Sequence, residues 1–144
     1  MKIQQIIDDK GREVATIRSE SSIATAASML KLQGIGALVV SEDGSQVAGI
    51  LSERDIVRAL VEHGTDLLEM RVSDLMTRNV KTCTPQSDVT AAMGEMTRSR
   101  IRHLPVVENG GLVGIISIGD VVKTRLGELE TETSVLRDFI VGRS

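Results

Sequence analysis

Two stretches of the chain repeat one spacing of three chemically useful residues, Gly49-x-x-Ser52-x-x-Asp55 and Gly114-x-x-Ser117-x-x-Asp120. Where a strand runs into a helix, Ser followed three residues later by an acid forms a capping box. The hydroxyl takes an amide N–H of the first turn, and the carboxylate reaches back to the serine N–H. That role needs no ligand. The same residue types also suit recognition. A helix N-terminus offers unpaired N–H groups and the positive end of a dipole, which favour a phosphate. An ionised carboxylate only accepts hydrogen bonds, so it can take both hydroxyls of a ribose. Glycine permits the turn and lets a ligand approach the backbone closely. Cap alone and cap plus nucleotide seat both satisfy the spacing.

Such motifs need a strand before them and a helix after them, and the sequence supplies that setting twice. With Val14 placed on Val80, the two halves stay in register for about thirty residues, the mark of an internal duplication. Ser21 falls on Ser87, Ala26 on Ala92, Ile35 on Ile101, Val40 on Val106 and Gly44 on Gly110. A one-residue deletion in the second turn then brings Gly49-Ile50-Leu51-Ser52 onto Gly114-Ile115-Ile116-Ser117. Each half reads as a short β segment (14–17, 80–83), a helix (22–33, 87–99), two strands (36–41 and 46–51, 103–107 and 111–116) and a second helix from Ser52 or Ser117. Ile23, Ala26, Ala27 and Leu30 recur at helical spacing, which marks an inward face. Ala37-Leu38-Val39-Val40 is apolar on both faces, as in a buried strand. Asp43-Gly44 and Asn109-Gly110 are hairpin chemistry.

The expected fold class is α/β in the mixed, α+β sense: two β-α-β-β-α repeats related by a pseudo-twofold axis. Residues 1–70 form the first repeat, with a lead-in helix near Ile3–Ile7 and a connector at 63–70. Residues 71–144 form the second, with its own lead-in turn at 72–76 and an extended C-terminal helix. Leu126, Leu129, Thr133, Leu136 and Ile140 mark a stripe along that helix, which packs on its own chain or meets a partner.

Composition narrows the functions. Hydrophobic residues make up 41% and charged residues 26% of 144, the balance of a soluble globular domain. Lys and Arg total 17 against 20 acids, net -3, with no basic footprint for nucleic acid. Phe139 is the one aromatic residue, so a base would be held by aliphatic side chains and not by the ring stacking of single-strand binders. No apolar run suits a membrane span, and Met1–Lys10 lacks the order of a signal peptide. The expected location is cytoplasmic. One cysteine, Cys83, excludes an intrachain disulfide and a thiolate metal cluster; it reads as a small buried hydrophobe. His63 and His103 have no Cys or carboxylate partners at ligand spacing, and no Gly-x-Gly-x-x-Gly follows a strand. Met29, Met93 and Met96 follow helical spacing and read as core. A catalytic site, a metal and a catalytic cofactor are not expected.

The sequence resembles the CBS domain, named for cystathionine β-synthase, repeated in tandem as a Bateman module. Four stretches carry the likeness: Val72-Ser73-Asp74-Leu75-Met76-Thr77, Ile101-Arg102-His103-Leu104-Pro105-Val106-Val107, Gly49-Ile50-Leu51-Ser52-Glu53-Arg54-Asp55 and Gly114-Ile115-Ile116-Ser117-Ile118-Gly119-Asp120. It is similar in particular to small stand-alone pairs with no attached enzyme. The resemblance implies a regulatory module binding an adenosine compound, such as AMP, ATP, NAD(H) or S-adenosylmethionine, between the copies. It implies Asp55 and Asp120 as ribose ligands, Ser52 and Ser117 near the phosphates, and Thr16 and Thr82 beside the ligand. Gly36, Ala37, Arg102 and His103 would line the adenine and phosphate end. A homodimer, parallel or antiparallel, and a separate effector protein are the implied partners. The copies differ, since Arg54 corresponds to Gly119, while Arg102 and His103 replace Gly36 and Ala37. Charge-assisted contacts to phosphate are therefore expected from Arg54, Arg102 and His103, although Arg54 is equally at home as a solvated surface residue. The rival reading is a ligand-free dimeric interaction module in which both motifs serve only as caps.

Overall fold

The computed structural model describes residues 1–142. Each motif repeat builds a small sheet covered by helices, and the two repeats share one plan. In the first, β1 (Thr16–Ile17) pairs in parallel with β2 (Ala37–Val40), which pairs antiparallel with β3 (Gly49–Ser52). Helix α2 (Ile23–Gln33) lies between β1 and β2, and α3 (Glu53–His63) follows β3. In the second, β4 (His103–Glu108) and β5 (Gly111–Ser117) form a hairpin flanked by α5 (Val89–Ser99) and α6 (Ile118–Ile140). A 3-10 segment, Gly64–Glu69, and the short helix α4 (Val72–Leu75) join the halves. The expected mixed α+β class and tandem β-α-β-β-α plan are what the chain adopts.

Local chemistry sets the boundaries. Ser22 caps α2 by accepting from the Thr25 N–H at 3.1 Å, and Gly34 ends it in the left-handed conformation. The first turn holds its own N–H groups, with Asp43 Oδ1 accepting from Ser45 and Gln46 at 2.9 and 2.8 Å. That Asx-type capture takes the Gln46 amide away from the ladder, and β3 starts at Gly49 instead of the expected residue 46. Asn109 and Gly110 both take positive φ, 53° and 79°, as a two-residue hairpin turn requires.

The short strand expected at 80–83 shrinks to one parallel bridge, Cys83 with Val106. The reason is Pro105. In the first repeat, the Val39 N–H donates to Ala15; its counterpart Pro105 has no N–H to give, so the ladder keeps only the bonds made by Cys83 and Val107.

The lead-in helices are exchanged. α1 (Ile3–Lys10) belongs to the first half by chain order, and the sequence reading placed it there. Yet Ile3, Ile6 and Ile7 are buried with Val89, Met96, Leu104, Val106, Ile116 and Val121 in the second core. Conversely Val72, Leu75 and Met76 pack in the first core with Ile23, Leu30, Leu38 and Leu51. Matching backbone bonds seat both. Ile3 donates to Ser87 and Val89 to Met1, while Val72 donates to Ser21 and Ile23 to Met70, all at 2.8–2.9 Å. Each fully buried isoleucine contributes about 1.5–3 kcal/mol, so the exchange ties the halves into one unit.

Candidate functional site

Both predicted capping boxes form. Ser52 accepts from the Asp55 N–H at 3.3 Å, and Asp55 Oδ2 takes the Ser52 N–H at 2.9 Å and its hydroxyl at 3.1 Å. Ser117 and Asp120 repeat this, with bonds of 3.1 and 2.8 Å. In each box the second carboxylate oxygen, Oδ1, accepts nothing among the described residues. The caps therefore leave an acceptor over at the N-terminus of α3 and of α6.

The motif glycines do something the sequence did not disclose. Neither has positive φ, so neither is present for a turn. A Cβ on Gly49 would lie 2.7 Å from Met76 Sδ and 3.0 Å from the Thr77 carbonyl oxygen; one on Gly114 would lie 3.1 Å from Ile7 Cδ1. Met76 and Ile7 occupy equivalent places after the exchanged lead-ins. The close approach permitted by each glycine is thus made by the chain itself.

A cleft of about 340 Å³ opens at the N-terminus of α3. It brings together the predicted Gly36, Ser52, Arg54, Asp55, Arg102 and His103, and adds Thr77, Asn79, Lys81, Arg58 and Arg100. Five of its lining residues are Lys or Arg and two, Glu53 and Asp55, are acids. In a chain of net charge -3, this is a local concentration of positive charge suited to a phosphorylated ligand. Arg100 is the strained member. It holds the left-handed conformation (φ 54°) where the equivalent residue of the first repeat is Gly34, at a cost of about 1–2 kcal/mol.

A second, wider cleft of about 880 Å³ is lined by Thr16, Gly36, Ala37, His103 and Ser117, with Lys10, Glu13, Val14 and Ala15. Asp120 faces a neighbouring groove with Lys10 and Lys123, and Lys10 spans the two. Its ammonium donates to Asp120 Oδ2 at 2.6 Å and to the Ile115 carbonyl at 3.0 Å. Burial pushes the Asp120 pKa up, but the Lys10 bond and charge and the Ser117 amide outweigh it, leaving the carboxyl below its ordinary range. Thr82 is exposed and lines neither cleft.

His103 lies between the clefts and lines both; a Cβ on Gly36 would meet its ring at 3.1 Å. Burial, then the nearby Lys10 charge, lowers its pKa below the ordinary imidazole value. Both causes disfavour the cationic form that a charge-assisted contact to phosphate would use.

Lys10, Lys81, Arg58 and Arg100 were missed. Two had a signal: Arg58 follows Arg54 by four residues on one helix face, and Arg100 aligns with a helix-ending glycine. Lys10 had none, because nothing local announces a partner 110 residues away.

Two halves with exchanged lead-ins, each placing a capped helix N-terminus and a spare carboxylate oxygen beside a cleft or groove, define a paired-repeat module. The family model of the CBS domain matches residues 7–62 and again 72–127. This chain belongs to the CBS-domain family, and it carries two copies. It is 38% identical over 128 residues, 86% of its length, to the mitochondrial CBS domain-containing protein CBSX3 of Arabidopsis thaliana, of which it spans 62%. A CBS-domain protein from Agrobacterium tumefaciens is 47% identical with a TM-score of 0.84, over 87% of this chain and 99% of that one. A CBS domain pair solved in complex with 5′-methylthioadenosine and S-adenosyl-L-methionine is 27% identical with a TM-score of 0.78, over 89% of this chain and 98% of that one. Among the described residues, no helix is long and apolar enough to cross a membrane, and no group of His, Cys, Asp and Glu is arranged to hold a metal ion.

Proposed function

We propose that the chain is a regulatory sensor, not an enzyme, that binds an adenosine nucleotide (AMP, ATP or NAD(H)) and passes its ligand state to a separate effector protein. The observation that carries this is the cleft at α3. There Asp55 keeps one oxygen spare beside a helix N-terminus, with five basic side chains around it. In this reading Asp55 Oδ1 accepts from the ribose hydroxyls, and Ser52, Arg54, Arg58, Lys81, Arg100 and Arg102 surround the phosphates. The wider cleft holds a ligand less tightly, through Thr16, Gly36, Ala37, His103 and Ser117, because Asp120 faces the neighbouring groove and Lys10 engages one of its carboxylate oxygens. Thr82 takes no part. The adenosine compounds held by one structural relative support the ligand class. The module acts as a homodimer in the cytoplasm, and the ligand biases the relative placement of the repeats by its differential affinity for their arrangements.

The test is titration of wild-type and Asp55→Ala protein with ATP. Loss of binding at unchanged far-UV circular dichroism supports the ribose role. Equal affinity, with only the roughly 1 kcal/mol of a weakened cap, leaves an interaction module whose motifs serve as caps.

A further inference from the structure

Helix α6 runs for 23 residues, and from Leu129 to Ile140 every residue is exposed. A helical stretch of that length without packing is marginal in water. Its apolar residues are not scattered. Val122, Leu129 and Leu136 recur at seven-residue steps, and Leu126, Thr133 and Ile140 do the same between them. The five apolar ones are 42–73% exposed. This alternation of three and four residues is the seam of a left-handed coiled coil. The body of the protein does not cover it. Val121, buried in the chain's own core, and Glu128, against the N-terminal ammonium, centre about 110° around the helix from that seam.

The charges beside the seam choose an orientation. With Leu126 at position a, the e positions are Lys123, Glu130 and Arg137, and Arg125 and Glu132 are g positions. In a parallel pair each g residue meets the e residue five places on in the other chain. Glu132 then meets Arg137, and Arg125, whose partner within its own helix is Glu128 at 2.6 Å, comes beside Glu130, both attractive. In an antiparallel pair e meets e and g meets g, which sets Glu130 against Glu130, Glu132 against Glu132 and Lys123 against Arg137. All three repel.

We propose that α6 pairs in parallel with α6 of a second copy of this chain, as a short two-stranded coil extending from the paired repeats. The pairing selects the parallel homodimer and is independent of any ligand in the clefts.

The test uses full-length protein with one cysteine added at a time. Cys83 does not compete, because burial pushes its thiol up to about 11. In a parallel coil the two Ile140→Cys thiols meet across the seam. In an antiparallel one they sit about 25 Å apart along the axis. Asp138→Cys, on the outward side, is the control. The expected result is a dimeric mass by sedimentation velocity, and disulfide formation by Ile140→Cys at least about fivefold faster than by Asp138→Cys under mild oxidation. A monomeric mass, or a dimer in which Ile140→Cys is no faster than the control, overturns the proposal.

Discussion

Replacing Gly49 by alanine probes the exchanged packing at the motif itself. The new Cβ would sit 2.7 Å from Met76 Sδ and 3.0 Å from the Thr77 carbonyl oxygen. The thioether can swing away, but Thr77 is held by two backbone bonds to Ile50, of 3.0 and 2.9 Å. Overpacking of this kind costs about 1–3 kcal/mol. Alanine returns about 0.4–1 kcal/mol by restricting the unfolded chain. The net is a loss of about 1–2 kcal/mol, or a Tm lower by roughly 3–8 °C for a domain of this size. Gly114→Ala meets only the Ile7 side chain, at 3.1 and 3.3 Å, and the two effects nearly cancel, leaving stability within about 0.5 kcal/mol of wild type. Urea unfolding of both variants, read as midpoints at a common slope, checks the order. A Gly49→Ala protein as stable as wild type, or a Gly114→Ala protein that is the weaker of the two, would refute the close-approach account of these glycines.

Three further perturbations separate the residues around the clefts. Lys10→Met removes a half-exposed ion pair and costs about 0.5–1 kcal/mol at pH 7. Because Asp120 has a depressed folded pKa, its share is present above the unfolded carboxylate pKa and lost as pH falls through the folded one. The gap between wild type and Lys10→Met in chemical unfolding should therefore narrow toward pH 3; a gap that stays constant contradicts the pairing. His103 also has a lowered folded pKa, so it contributes stability above the ordinary imidazole pKa that declines as pH falls through the folded value. Proton NMR titration should place its midpoint below 6.5, and His103→Gln should remove that decline; a midpoint at or above 6.5 would contradict the burial account. Arg100→Gly relieves the left-handed strain and should raise stability by about 0.5–1 kcal/mol, while weakening nucleotide binding at α3. Unchanged affinity in that variant would remove Arg100 from the site.

Much of this was legible from local pattern. The duplication, the element order, both capping boxes and the methionines in the cores follow from spacing, because capping and amphipathicity act within a few residues. Met96 is buried and Met29 and Met93 pack against the cores, as their spacing required. What escaped the sequence is long-range. Periodicity shows that Ile3, Ile6 and Ile7 are buried, but not that they are buried against Val89 and Leu104. The same blindness hid Lys10 from Asp120. It also credited the motif glycines with closeness to a ligand when Met76 and Ile7 fill that space. Nor does spacing show that His103 is partly buried beside Lys10, which disfavours its cationic form. Pro105, in plain view, was another local signal left unread, and it shortened the strand at 80–83 to a bridge.

The measurement that meets the central claim most directly is calorimetric titration of nucleotide-stripped protein with AMP, ATP, NAD⁺, NADH and S-adenosylmethionine. Saturable binding of at least one, with the tighter site abolished by Asp55→Ala, is the predicted result. No heat from any of the five, in a correctly folded protein, would contradict the sensor and leave a dimer whose motifs only cap helices.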